Sequence, residues 1–133
     1  MSASACAPRA PRSAGQDAHG STVEVVAKGS VSWDGAALPA YPATAPEVTV
    51  VRVTIPPHSA LPVHKHPSIN AAYMISGAIT IVAESGKELK VRAGDGFLEL
   101  VDSWHHGRND GDEPAVIVVV YVGSPGAPLT VEK

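Results

Sequence analysis

The sequence predicts an all-β domain, a sandwich or barrel with few or no helices. Valine, isoleucine and threonine recur in short runs of strand length, and Gly, Pro, Asn or Asp closes each run. No long window carries apolar residues at the 3.6-residue period of a helix. The 133 residues, 44% of them apolar and 17% charged, suit one globular domain with its own core.

Residues 1–20 precede the first predicted strand and are rich in Ala, Ser, Pro and Gly. They show no apolar period, which predicts a flexible leader and places the folded domain at residues 21–133. Within the leader, Ala3-Ser4-Ala5-Cys6 resembles the end of a lipoprotein signal, although neither a charged n-region nor an apolar h-region precedes it. A lipidated Cys6 would place the protein in the periplasm or cell envelope, whereas an incidental cysteine in a plain tail would suit a cytoplasmic protein.

The strand-like runs follow one another through the rest of the chain. They are TVEVVAKG (22–29), EVTVVRVTI (47–55), AAYMIS (71–76), AITIVAES (78–85), ELKVRAG (88–94), GFLELV (96–101) and AVIVVVYVG (115–123). Turn signals stand at Asp34-Gly35, Gly77, Ser85-Gly86 and Asn109-Asp110-Gly111. The last three of these turns predict antiparallel hairpins in the second half of the chain.

The final run, residues 115–122, is apolar at every position, which predicts that both faces of this strand are covered. One face would pack on the interior of the domain, and a second subunit is the simplest cover for the other. The sequence therefore predicts a homodimer joined through a sheet.

Charge and hydropathy exclude two classes of partner. The net charge is −3 and no basic run is longer than two residues, so binding to a nucleic acid backbone is not expected. The longest apolar run, residues 115–122, is far shorter than the roughly 20 residues that a membrane-spanning helix needs. We expect a small-molecule ligand or substrate and no membrane span.

Two groups of histidines are candidates for chemistry. On a strand, residues two apart point to the same side, so His64 and His66 project together while Lys65 points away. Two imidazoles on one face can bind a metal ion, although such a pair taken alone also fits a solvated edge. His105 and His106 end another strand, where adjacent residues face opposite sides, so one of them can point inward beside the first pair.

Together these two stretches resemble the paired motifs of the cupin family. The first motif is matched by His64, His66, Asn70 at the usual position of an acid, and Gly77. The second is matched by Gly94, Asp95, the segment 100–104, His105 and Asn109. The resemblance covers about residues 48–122 and implies a cupin double-stranded β-helix, a jelly-roll barrel.

The resemblance also implies one divalent transition metal, which could be Fe, Mn, Zn, Ni or Cu. Its ligands would be His64, His66 and His105, which selects His105 over His106, and Asn70 would bind the ion or lie beside it. Asn70 replaces a glutamate of the family pattern, and a neutral amide leaves more of the charge of the ion uncompensated. The alternative interpretation of Asn70 is a member of the family that has lost its activity. Leu100-Val101-Asp102 replaces a Pro-x-Gly turn, which leaves the conformation of that loop open.

Alternation along the strands suggests what surrounds the ion. If Asn70 faces inward, Ala72 and Met74 do too, and they would line a substrate pocket that Trp104 could roof. On the run 96–101, either Gly96, Leu98 and Leu100 face the cavity, or Phe97, Glu99 and Val101 do. Glu99 would be a general base or an extra ligand in the second case and a surface charge in the first. His19 and His58 have no partner at ligand spacing.

These observations favour a small-molecule metalloenzyme of oxygenase type, because three neutral imidazoles leave coordination positions open on a transition metal. Two alternatives remain. One is a metal-dependent isomerase or lyase that acts on a substrate like a sugar acid. The other is a non-catalytic protein of the cell envelope that binds a ligand or a metal.

Overall fold

The protein was analysed as a computed structural model, in which residues 13–16 and 20–133 are described. These residues form strands, turns and loops and contain no helix. The strands are β1 (Ser13–Gln16), β2 (Thr22–Val25), β3 (Glu47–Ile55), β4 (Ser59–Ala60), β5 (His64–Lys65), β6 (Ile69–Ser76), β7 (Ala78–Ala83), β8 (Glu88–Arg92), β9 (Gly96–Leu98), β10 (His105–Asn109), β11 (Ala115–Gly123) and β12 (Val131–Glu132). The all-β prediction is confirmed.

The strands from β3 onward form two antiparallel sheets that enclose one core. The first sheet has the order β3-β11-β6-β9, and the second has the order β12-β5-β10-β7-β8 with β4 paired to β10. The core takes residues such as Ile55, Ala72 and Ile117 from the first sheet, and Ile79 and Ile81 from the second. The inner faces of both sheets therefore bury the alternate apolar residues of the predicted runs.

The central strand of the first sheet is β11. It pairs with β3 over nine residues and with β6 on its other side. Its burial alternates, with Ala115, Ile117, Val119 and Tyr121 buried on the inner face and the intervening valines half-buried on the outer face. Within a single chain, the outer face of this strand is thus only partly covered.

Turn positions were predicted better than the pairing across them. Ser85-Gly86 connects β7 and β8, which form a hairpin. Gly77 and the Asn109–Gly111 turn instead carry the chain from one sheet to the other, because β6 and β11 lie in the first sheet while β7 and β10 lie in the second. The prediction of hairpins at these two turns is wrong, since a turn signal marks a change of direction and not the partner strand.

The structure describes part of the predicted leader. Residues 13–16 form β1, which pairs antiparallel with β2, so strand structure begins before residue 21. The predicted run 22–29 is strand only over β2, and all four residues of β2 are exposed. Residues 1–12 and 17–19, which include Cys6 and His19, lie outside the described residues. Among the described residues, no helix is long and apolar enough to span a membrane.

Besides β1, four short strands lie outside the predicted apolar runs: β4, β5, β10 and β12. Their sequences are SA, HK, HHGRN and VE, which lack the alternation of apolar residues that identifies a strand. In β5 and β10, histidines occupy inward positions where other strands carry aliphatic side chains. Two of these strands, β5 and β10, thus contribute His64 and His105 to the candidate site.

Candidate metal centre

Three histidines meet on the inner face of the second sheet. β5 begins at His64, which pairs in register with His105 at the start of β10, and His66 follows on the same face as His64. All three are buried, and their ring centroids lie 4.6 to 5.0 Å apart. One nitrogen of each ring lies within 4.8 Å of the others, an arrangement that could hold a metal ion. His106 is half-buried on the opposite face of β10.

The backbone fixes the tautomer of each ring. Nδ1 of His64 lies 2.6 Å from the Pro62 carbonyl oxygen, Nδ1 of His66 lies 3.0 Å from that of Leu129, and Nδ1 of His105 lies 2.7 Å from that of Ser103. A carbonyl oxygen only accepts hydrogen bonds, so each Nδ1 donates its proton. Each Nε2 then carries a free lone pair, the state in which imidazole binds a metal.

Burial keeps the three imidazoles neutral. It lowers the pKa of His64 and His105, and it lowers the pKa of His66 to about 4, against opposing contributions from the hydrogen bonds to the backbone carbonyls. Near neutral pH the rings therefore present lone pairs and no positive charge.

Two buried polar atoms of the described residues have no hydrogen-bond partner. They are Nε2 of His105 and Oδ1 of Asn70, and both belong to predicted ligands. An unsatisfied buried acceptor costs about 1–3 kcal/mol. Asn70 is almost fully buried, its Nδ2 donates to the Ser68 carbonyl, and it pairs across the sheet with Tyr121. A divalent transition metal held by the three histidines would satisfy Nε2 of His105, so the histidine donor set fits the ion that the sequence predicts.

Phe97 of β9 and Glu99, which follows β9, line the cavity, whereas Gly96, Leu98, Leu100 and Val101 are not among its lining residues. Oε1 of Glu99 accepts hydrogen bonds from Trp33 Nε1 at 2.8 Å and from the Leu100 amide at 2.9 Å. Its Oε2 lies 3.7 Å from Nε2 of His105. Burial raises the pKa of this carboxyl. Glu99 is thus a buried group beside the histidines and not a surface charge.

The histidines lie in the wall of a cavity of about 240 Å³. Its polar residues are His64, His66, His105, Glu99, Tyr121, Thr130 and Glu132, and the rest of the wall is apolar apart from Gly107. The apolar part consists of Val53, Ile55, Leu61, Pro62, Ile79, Ile81, Phe97, Ile117 and Val119. No lysine or arginine is among these lining residues. The cavity suits a small, largely apolar molecule with a polar group at the histidine end.

The predicted pocket residues need correction. Ala72 and Met74 do face inward beside Asn70, but they are buried in the core and are not among the lining residues of this cavity. Trp104 does not roof the cavity either. Lys65 Nζ and Lys133 Nζ lie 4.8 and 5.5 Å from its ring centroid. Since Lys65 alternates with the inward histidines, the indole lies on the outer side of the sheet.

Sequence reasoning missed Tyr121, Thr130 and Trp33. The ring of Tyr121 lies 5.3 Å from that of His66, and a hydrogen bond links it to the Thr130 side chain. Alternation along β11 could have placed Tyr121 inward with Ile117 and Val119. Trp33 carries no such signal, because its contact with Glu99 spans 66 residues of sequence.

The unusual turn before His105 keeps a sharp bend without glycine. Asp102, at the position of the motif glycine, has φ of 52°, in the left-handed region that aspartate tolerates better than most residues. Its backbone amide donates to the His66 carbonyl oxygen at 2.8 Å. The loop thus links two of the clustered histidines through the backbone.

Comparison with known proteins supports the motif analysis. The family model described as the cupin domain matches residues 51–121. A comparison with curated proteins found no match.

Solved structures with a similar fold include enzymes. The oxalate decarboxylase of Bacillus subtilis, in a structure concerned with its Mn(II) centres, is 28% identical with a TM-score of 0.52, and the match covers 64% of this chain and 23% of that one. The DMSP lyase of Ruegeria pomeroyi is 20% identical with a TM-score of 0.57, covering 65% and 43%. A Klebsiella pneumoniae protein with a double-stranded β-helix domain is 23% identical with a TM-score of 0.56, covering 64% and 73%.

These matches confirm the predicted double-stranded β-helix fold. The chain spans less than half the length of the two enzymes that it matches. The likeness to the lyase and to the Klebsiella protein concerns the fold alone.

Proposed function

This chain belongs to the cupin domain family, and on that premise we propose that it is a metal-dependent enzyme of oxygenase type that acts on a small molecule. The observation that carries the proposal is the convergence of three neutral imidazoles on the wall of an apolar cavity. His64, His66 and His105 would hold the ion through Nε2, because each Nδ1 is engaged by a backbone carbonyl. Asn70 would contribute its unpaired amide oxygen or lie beside the ion.

The metal would supply a Lewis acid and, if it is redox-active, one-electron chemistry. Imidazole ligands suit Fe, Zn, Ni and Cu. Mn is a further candidate, because the similar oxalate decarboxylase of Bacillus subtilis has Mn(II) centres. The chain itself would orient the substrate and exclude water from it with the aliphatic side chains of the cavity.

The character of the cavity favours an oxygenase over an enzyme for sugar acids. An anionic substrate is usually held by Arg or Lys, and neither lines this cavity. An apolar wall suits both a hydrophobic substrate and dioxygen, which is itself apolar. The polar groups at the histidine end would then orient the single polar group of the substrate.

A lyase is the second candidate, because two groups able to transfer a proton flank the histidines. They are the Glu99 carboxyl and the Tyr121 hydroxyl, whose pKa values are both raised by burial. A Lewis-acid metal with such a pair suits removal of a proton from a carbon next to a polarised carbonyl.

The test begins with the metal content of natively purified protein, measured beside a His64→Ala, His105→Ala double variant. We expect about one equivalent per chain in the parent and little in the variant. Oxygen uptake by the iron-loaded parent with a panel of small apolar substrates then separates an oxygenase from a lyase, which would turn over anaerobically. Absence of metal from a folded parent, even after incubation with Fe(II), Mn(II) or Zn(II), would refute the proposal.

We also propose that the protein is a homodimer that pairs through the outer face of the first sheet. Val48 and Val50 of β3 are 58% and 64% exposed, and Tyr73 and Ile75 of β6 are 42% and 48% exposed. They flank the half-buried outer valines of β11 and form an apolar surface bordered by the exposed Arg52 and Thr54 of β3. Monomeric proteins seldom leave a large continuous apolar surface in contact with water.

A further inference from the structure

Glu99 is the only acidic side chain among the buried residues that the structure describes. The other candidate ligands, three imidazoles and the Asn70 amide, are all neutral. A dication bound by them alone would be buried with no negative charge beside it. Burying an uncompensated charge is costly, and a carboxylate beside it offsets that cost. We infer that Glu99 is the anionic ligand of the metal centre and that Trp33 positions it, an inference that rests on the proposed metal function.

The hydrogen bonds of Glu99 leave one oxygen free for this role. Oε1 accepts from both Trp33 Nε1 and the Leu100 amide, which occupies that oxygen. Oε2 lies 3.7 Å from Nε2 of His105, too far for a hydrogen bond. Two donor atoms that share one ion, each roughly 2.1 Å from it, can be up to about 4.2 Å apart. The separation therefore fits two ligands of a common ion better than a direct contact.

A short N-terminal segment, residues 30–38, holds Glu99 in this orientation. Besides the indole contact, Ser32 Oγ donates to the Glu99 carbonyl at 3.0 Å, and the Trp33 amide donates to the Leu98 carbonyl at 3.0 Å. The segment is closed on itself by the Asp34-Gly35 turn and by a hydrogen bond from the Ser32 amide to the Ala36 carbonyl. It lies outside the residues matched by the family model, so the positioning of Glu99 is an addition to the family core.

The carboxylate thus reaches the histidines from the strand β9 side and not from position 70, where the family motif has its acid. Asn70 and Glu99 are neighbours in the fold, since the Glu99 amide donates to the Asn70 carbonyl at 3.2 Å. Exchange of the acid between two adjacent positions keeps one negative charge at the site.

The decisive variant is Glu99→Gln, which is isosteric. The amide oxygen of glutamine can still accept from Trp33 and Leu100, and a neutral amide places no charge in the buried site of the metal-free protein. We expect the metal-free variant to be at least as stable to heat as the parent but to bind Mn(II) about 100-fold more weakly, the upper end of the loss seen when a group supporting a metal site is removed. A merely structural role of Glu99 would not make stability and affinity move in opposite directions.

Glu132→Gln is the matched control, because it removes an equal charge from the same cavity. Glu132 pairs in register with His64 but is exposed to solvent. Its loss should weaken Mn(II) binding far less than the loss of Glu99.

Trp33→Phe tests the positioning role, since it removes the indole donor and keeps an aromatic ring. We expect about 10-fold weaker Mn(II) binding, as for loss of an outer partner, and a changed EPR spectrum of the bound Mn(II).

The experiment is a titration of chelator-treated protein with Mn(II), followed by EPR of the loaded forms and by thermal unfolding of the metal-free forms. Equal Mn(II) affinity of the parent and the folded Glu99→Gln variant would overturn the assignment while leaving a histidine metal site intact. An unchanged EPR spectrum and affinity in Trp33→Phe would overturn the positioning role. A parent that binds neither Mn(II) nor another divalent transition metal would overturn both this inference and the proposed function.

Discussion

At the scale of single residues, the state of the site is set by hydrogen bonds to the backbone. The carbonyls of Pro62, Leu129 and Ser103 each take the Nδ1 proton of one histidine. Burial then disfavours the addition of a second proton to each ring. A metal ion and that proton would bind the same Nε2 lone pair, so they compete. The metal-free protein therefore carries three groups that are easier to protonate when it unfolds.

This competition predicts a dependence of stability on pH. The ordinary pKa of histidine is 6.5, whereas burial lowers that of His66 to about 4 in the folded protein and also lowers those of His64 and His105. Between these limits the unfolded chain binds more protons, so stability is present above pH 6.5 and is lost as the pH falls toward 4. Glu99, whose pKa is raised, has the opposite sign and offsets part of this loss.

Thermal unfolding of chelator-treated protein at pH 7 and pH 5 measures the effect. We expect a lower midpoint at pH 5, and a smaller difference between the two pH values in a His66→Gln variant. Equal differences in the parent and the variant would contradict the assignment to His66.

At the scale of elements, the passage between the two sheets depends on one glycine. Gly77 connects β6 to β7 with φ of 72°, and a Cβ atom there would lie 2.7 Å from the Pro114 carbonyl oxygen and 2.8 Å from Cα of Ala115. Both neighbours belong to the backbone, which cannot move aside as a flexible side chain can. Any residue with a Cβ atom at position 77 would therefore clash with the backbone of residues 114 and 115.

Gly77→Ala should lower the free energy of unfolding by more than the roughly 1–3 kcal/mol that a strained backbone residue alone costs, because the steric overlap adds to the strain. Gly86→Ala is the control. Gly86 also has a positive φ of 90°, but the space around it is open. Chemical denaturation of both variants separates strain from overlap, and an equal loss in the two would show that the overlap is relieved at no cost.

The limits of sequence reasoning also lie at this scale. Long apolar runs such as 47–55 and 115–123 match β3 and β11 residue for residue, because β-branched residues recur through both runs. The strands β5 and β10 are absent from the predicted apolar runs, because their inward residues are His64 in β5 and His105, Gly107 and Asn109 in β10, none of which is an apolar strand residue. The histidine cluster was still predictable from the spacing of the histidines together with the resemblance to the cupin motifs, whereas the contact of Trp33 with Glu99 depends on the way the chain folds back on itself. Ala72 and Met74 were placed on the correct face, but alternation alone does not say where a core ends and a cavity begins.

At the scale of the whole molecule, the outer face of the first sheet is the feature left incomplete by a single chain. On this face, side chains of three strands lie side by side, with Val50 of β3 beside Val120 of β11 and Val120 beside Ala71 of β6. A second copy placed on this face would remove these side chains from water, a gain of about 25 cal/mol per Å² of apolar area.

We therefore expect light scattering to give the mass of a dimer at micromolar concentration. Val50→Lys would place a charge on the exposed side of this face, and the dimer should dissociate while the fold persists. Lys90→Glu, on the exposed side of β8 in the other sheet, serves as the control and should leave the mass unchanged. A parent that has the mass of a monomer would refute the pairing.

The hydrogen bonds around the histidines also bear on how the protein folds. His66 depends on a carbonyl 63 residues away, and Glu99 depends on an indole 66 residues away. Contacts of such long range form slowly, since the loops that they close must lose much of their freedom first. A partly folded chain would hold the histidines without these partners and would bind a metal only weakly. Tight binding would then mark the end of folding, so the rate at which refolding protein acquires a metal should follow the slowest step of chain closure.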